Sequence, residues 1–227
     1  MSQADLAAMA GTLPGLDLTL VEADSAGLDQ LPRPWRPIAA ETDPQTRLTA
    51  ALNLWNAPFL DALPQFAAAL QSRFADVRAC RVDGESALLY LAEHPDGHLL
   101  SWIGLDPAGF VKPRFWEHIP EPLQTFLRQV HAGFTSGGTT AFGPMHPRHM
   151  QTLAELAGEP DGLADWDEEQ DIASTRLLLL TSNDGMVNYC VSPDVKPAEL
   201  AIVFQGDIDP VHYGTALDRL LMRRLER

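Results

Sequence analysis

Two short turn sequences constrain the fold of this chain more than anything else in it. Asn183-Asp184-Gly185 separates the apolar runs Arg176 to Thr181 and Met186 to Val191. Asp-Gly between apolar runs favours a hairpin, because both residues accept the positive φ that a tight turn of matching twist requires. His94-Pro95-Asp96-Gly97 separates Ala87 to Leu91 from His98 to Ile103 in the same manner, with Pro setting φ and Gly accepting the left-handed region. Antiparallel strand pairs are therefore expected in both halves of the chain.

The remaining segments alternate between helical and extended patterns. Leu16 to Val21 (LDLTLV) has the period of two of a half-buried strand, and Val77 to Val82 and Leu200 to Phe204 read as further strands. Three prolines in Leu31 to Pro37 argue for a turn-rich connection without helix. Thr46 to Trp55 places Leu48, Leu52 and Trp55 on one helical stripe, and Phe59 to Phe74 does so with Leu63, Phe66, Leu70 and Phe74. Pro64 inside the latter moves the regular part of that helix to its C-terminal side. Glu121 to His131 is the clearest helix, built on Leu123, Phe126, Leu127 and Val130, with Pro122 in its first turn and Gly133 beyond its end. Pro147 to Leu156 and Tyr213 to Leu225 complete the helices, and Gly158 to Asp171 reads as a loop. Strands in hairpins beside grouped helices define an α+β fold, a mostly antiparallel sheet with helices packed on it. Residues 1–110 read as an N-terminal α+β extension, packed on the same core or separate from it, and residues 111–227 as a second α+β unit.

The surface charge restricts the partners. Sixteen Lys and Arg stand against thirty-one Asp and Glu, a formal charge of −15. Such a surface repels nucleic acid and anionic membrane and draws a basic partner, although it also serves solubility alone. The start of the chain lacks the basic and apolar regions of a signal peptide, and no apolar run reaches a membrane span. A cytoplasmic location is expected. Cys80 and Cys190 are in no ligand spacing and read as buried free thiols.

No catalytic or cofactor motif emerges, and no metal site is assigned. His146-Pro147-Arg148-His149 is the only close histidine pair read from spacing, without the Glu of an HExxH motif, and these histidines are expected in solvent at a helix N-terminus. The glycine-rich run Ser136 to Thr140 lacks the P-loop lysine, and no GxSxG occurs. His131, near the end of an apolar helix, reads as a structural residue that could pair with a carboxylate.

One segment carries a stronger signal. Glu155 to Asp171 contains eight acids and no Lys or Arg, with Trp166 inside the run. A ring to anchor and charges to steer compose an interface patch, so Glu159, Asp161, Asp165, Trp166, Asp167, Glu168, Glu169 and Asp171 are the expected partner-binding residues. A calcium loop is disfavoured, because the DxDxDG pattern is missing.

The C-terminal half also resembles the SUKH superfamily. Phe115-Trp116-Glu117-His118-Ile119-Pro120-Glu121-Pro122-Leu123 is similar to that family's Trp and Leu-Pro entry into a helix. Gly133 falls at its glycine turn, Phe142-Gly143-Pro144 resembles the segment leading to the next helix, and the closing hairpin, strand and helix follow in the same order. His131 and Ala132 depart from the pattern. The resemblance, over residues 113–227, implies a non-enzymatic scaffold. Many such proteins are immunity proteins that bind and neutralise a cognate bacterial toxin, often a nuclease or deaminase, delivered by a contact-dependent or type VI system. Others are intracellular regulatory or scaffold proteins. An unrecognised hydrolase or metal enzyme is the third reading; a cleft holding His146, His149 and a carboxylate would favour it.

Overall fold

The structure is a computed structural model and describes residues 16–25, 27–136 and 140–226. The fold is α+β. Among the described residues, β1 (Leu18–Leu20), β2 (Phe74–Val82), β3 (Glu85–Glu93), β4 (Leu99–Leu105) and β5 (Phe134–Ser136) form one sheet in chain order. β6 (Leu178–Ser182), β7 (Val187–Val191), β8 (Glu199–Phe204) and β9 (Asp207–His212) form a second. All neighbouring strands are antiparallel. The helices are α1 (Arg36–Ala40), α2 (Pro44–Leu52), α3 (Ala57–Asp61), α4 (Pro64–Ser72), α5 (Glu121–Gln129), α6 (Leu153–Leu156), α7 (Ala164–Glu169) and α8 (Tyr213–Leu225).

The two sheets are joined by residues 141–145. Their backbone exchanges hydrogen bonds with β5 on one side (Phe134 N–H to the Pro144 carbonyl, 2.8 Å) and with β6 on the other (Met145 N–H to the Leu180 carbonyl, 2.9 Å). One buried apolar cluster runs from Val21 to Leu225 and includes Trp55, Phe66, Tyr90, Trp102, Phe126, Leu180 and Leu217. The first sheet is apolar on its other face too, where buried Cys80, Leu89, Leu91 and Ile103 pack against the partly buried Leu18 and Leu20. Burial on both faces explains why β3 reads as a near-continuous apolar run rather than an alternating one. Both cysteines are buried free thiols.

Polar contacts tie the two halves of the sequence together. Leu63, at the start of α4, has no side-chain oxygen with which to cap the helix. The buried carboxylate of Asp218, on α8, accepts instead from the Phe66 N–H (2.8 Å) and the Gln65 N–H (3.2 Å). Arg47 on α2 makes a buried two-point pair with Asp76 on β2 (2.8 and 2.7 Å) and donates to the Glu41 and Thr42 carbonyls, so every part of this ion pair is satisfied. β4 and β5 hydrogen-bond directly, so the first sheet continues past residue 110.

Several elements differ from the reading of the sequence. Pro37 does not exclude helix; it occupies the first turn of α1, where its missing N–H has no intrahelical partner to lose. Pro147 to Leu156 is not one helix. Residues Pro147–His149 form a 3-10 turn, the chain then extends to bridge Thr152 with Leu178, and a capping box between Thr152 and Glu155 starts α6 afresh. Gly158 to Asp171 is not all loop, since α7 lies within it. β9 is an exposed edge strand entered through the tight turn Gln205-Gly206 (φ 52° and 96°), and it tolerates Pro210 because an edge strand has one side unpaired. The N-terminal segment and Gly137, Gly138 and Thr139 of the glycine-rich run lie outside the described residues.

Candidate functional site

The acidic segment sits beside an apolar groove of about 340 Å³, lined by Leu153, Leu156, Leu163, Trp166, Met186 and Val203. α6 supplies Leu153 and Leu156, α7 supplies Trp166, and the β6–β7 turn supplies Met186. Leu156 is 55% exposed and Met186 65% exposed, two of the four large apolar side chains that the described residues leave open to solvent. Glu159 and Asp165 line an adjoining depression that shares Leu163 and Trp166 with this groove. Glu155 pairs with Arg114 at 3.2 Å, whereas among the described residues Glu159, Asp161, Asp165, Asp167, Glu168, Glu169 and Asp171 pair with no cation.

The structure gives Trp166 a different part from that of a free ring in a polar loop. It is half-buried against the core, and its indole N–H donates to the Ile172 carbonyl at 2.9 Å. Asp167 likewise accepts from the Ser174 N–H at 2.7 Å. Trp166 and Asp167 thus close the α7 segment on itself, while the other six acids line its exposed surface. Leu156 and Met186, the exposed apolar groups, went unread in the sequence. Leu156 reads as the last residue of a longer helix, and Met186 as the first residue of a strand.

A larger cavity, about 580 Å³, lies against the first sheet and holds the pair His146 and His149 together with Glu85 and Asp83. His146 is buried rather than solvent-exposed. Burial, and then the charge of Arg148, lower its pKa to about 4, so it is neutral at pH 7. Arg148 occupies the centre of the group. Its guanidinium pairs with both oxygens of Glu85, its Nε donates to His149 Nε2 (3.1 Å), and its backbone N–H donates to His146 Nδ1 (3.0 Å). The carboxylate and both imidazoles are therefore engaged by one arginine, and they do not gather as a metal-ligand set.

His131 is fully buried and bonds to Tyr90 Oη at 2.8 Å, and that oxygen also accepts from Trp55 Nε1 at 3.1 Å. Its partner is a tyrosine, not a carboxylate. Desolvation pushes the imidazole down to about 3, so it stays neutral in the fold.

A second histidine pair was missed. His94 and His98 flank the β3–β4 turn with their rings stacked 4.2 Å apart, and the Nδ1 atom of each touches the Asp96 carboxylate. The hydrogen bond at the His94 ring, then that of the His98 N–H, hold Asp96 at about 2. The signal in the sequence was His-x-Asp-x-His across a turn; Pro95 and Gly97 drew the reading to backbone geometry instead.

No family model matches this chain, and neither does any curated protein or solved structure. Among the described residues no helix is long and apolar enough to cross a membrane.

Proposed function

We propose that this protein is a binding module rather than an enzyme, and that it neutralises a basic protein partner by covering it with the face formed by α6, α7 and the β6–β7 turn. The observation that carries the reading is a coincidence of two independent features. Among the described residues, two of the four exposed large apolar side chains, Leu156 and Met186, lie in a groove that shares Leu163 and Trp166 with a depression lined by Glu159 and Asp165. Exposed apolar groups give a docking surface its affinity, and the surrounding carboxylates orient a cationic partner and reject anionic ones. The −15 charge supports a partner with a basic surface. The SUKH resemblance of residues 113–227 supports a bacterial toxin as that partner, with a regulatory role on the same fold as the alternative.

The test is coexpression with the product of the adjacent reading frame, scored by survival of the cells and by copurification. Leu156→Asp and Met186→Asp, both at exposed positions, are expected to weaken the complex at least about tenfold without changing the melting temperature. Association is expected to slow as salt rises, because the steering charges are exposed. Unchanged affinity in both variants would remove this face from the interface, and a salt-independent association rate would remove the steering role. Trp166→Ala is a poor probe, since it also breaks the bond to Ile172 that shapes the segment.

A further inference from the structure

We propose that His94, Asp96 and His98 form a binding site for a divalent transition-metal ion of the zinc class at the tip of the β3–β4 hairpin. The three residues offer one ligand atom each, and these atoms all lie within 4.8 Å of one another. The turn itself holds them there. The His94 N–H donates to the His98 carbonyl and the Gly97 N–H to the His94 carbonyl, both at 2.9 Å, so the two histidines close the hairpin as facing residues. Facing residues project to the same side of a strand pair, which stacks the rings. Asp96 folds back between them: its Oδ1 accepts from the His98 N–H at 3.1 Å and lies 2.7 Å from His94 Nδ1. Little ordering is left for an ion to impose.

The donor set selects the metal class. Two imidazoles and a carboxylate suit Zn²⁺, Co²⁺, Ni²⁺ and Cu²⁺, whereas Ca²⁺ and Mg²⁺ require a shell of oxygens. Three protein ligands leave a fourth position for water or an incoming group. That position faces solvent, since Asp96 and His98 are both exposed while His94 is largely covered. The contrast with the His146 cavity is chemical. There the Glu85 carboxylate is bound to a guanidinium, while here, among the described residues, no Lys or Arg pairs with Asp96.

The experiment is calorimetric titration of the chelator-treated full chain with ZnCl₂, and with CoCl₂ followed by visible absorption. One ion per chain is expected, with affinity falling at least about tenfold in His98→Ala and in Asp96→Asn. Because these side chains are exposed, both variants should melt like the wild type in chelator, and only the wild type should gain melting temperature with added Zn²⁺. Four results would overturn the assignment: no saturable Zn²⁺ binding up to about 1 mM, unchanged affinity in either variant, equal binding of Ca²⁺, or loss of binding in His146→Ala/His149→Ala instead.

Discussion

His131 illustrates how one residue can be placed by its neighbours rather than by its chemistry. Its ring lies against Gly104, where even a Cβ would approach Nδ1 to 2.6 Å, and its Nε2 is joined to Tyr90. A position just beyond the end of an apolar helix marks it as structural. That Tyr90 would be its partner was not legible, because the two meet only when β3 packs under the end of α5. The consequence is a pH dependence with a definite sign. An unfolded histidine takes up a proton near 6.5, whereas folded His131 does so only near 3 and His146 only near 4. Between those limits the unfolded chain binds more protons, so stability present above about pH 6.5 is lost as pH falls. The melting temperature should decline on acidification from pH 7. His131→Phe should flatten that decline while lowering stability at pH 7 by about 1–3 kcal/mol, the cost of removing one of the two partners of the buried Tyr90 hydroxyl, which keeps only the bond from Trp55. An unchanged slope in that variant would refute the assignment of the proton uptake.

At the level of elements, the local code worked where a segment makes its own ends and failed where another segment makes them. α5 starts with Pro122 in its first turn, α8 runs from Tyr213 as its apolar stripe requires, and the Asp184-Gly185 turn has positive φ at both residues (77° and 101°). The start of α4 depends on α8. Its N–H groups at Gln65 and Phe66 have Asp218 as their acceptor, more than 150 residues along the chain. Pro64 announced where that helix begins, but nothing local announced what caps it. Asp218→Ala should cost about 1–3 kcal/mol, since it leaves a buried donor unsatisfied. The loss should show as faster hydrogen exchange in α4 beyond that in the β2–β3 pair; uniform acceleration across both would mean that the carboxylate supports the fold as a whole and not the start of α4 in particular. The split of Pro147 to Leu156 has the same origin. Its apolar spacing permits a helix, yet the pairing of Thr152 with Leu178 draws the chain out straight before α6 begins.

For the whole molecule, charge is the property that sequence and structure share. Thirty-one acids against sixteen bases impose mutual repulsion on the compact state, and the seven unpaired acids from Glu159 to Asp171 concentrate it. Added salt should therefore raise the melting temperature, with most of the effect reached by about 0.15 M, where screening extends over about 8 Å. Glu168→Gln/Glu169→Gln should reduce that dependence. If melting were insensitive to salt in both proteins, the repulsion would be too dispersed to matter. The sequence alone determined the α+β class, the principal hairpins, the main helices, the buried thiols and the acidic run, because each depends on residues close together in the chain. Tertiary structure decided the rest. It set exposed Leu156 and Met186 beside the acids and turned Trp166 inward. It engaged His146 and His149 with one arginine, and it closed a turn so that His94, Asp96 and His98 meet. Spacing governs which way a backbone bends, but which side chains share a surface follows from how distant segments pack.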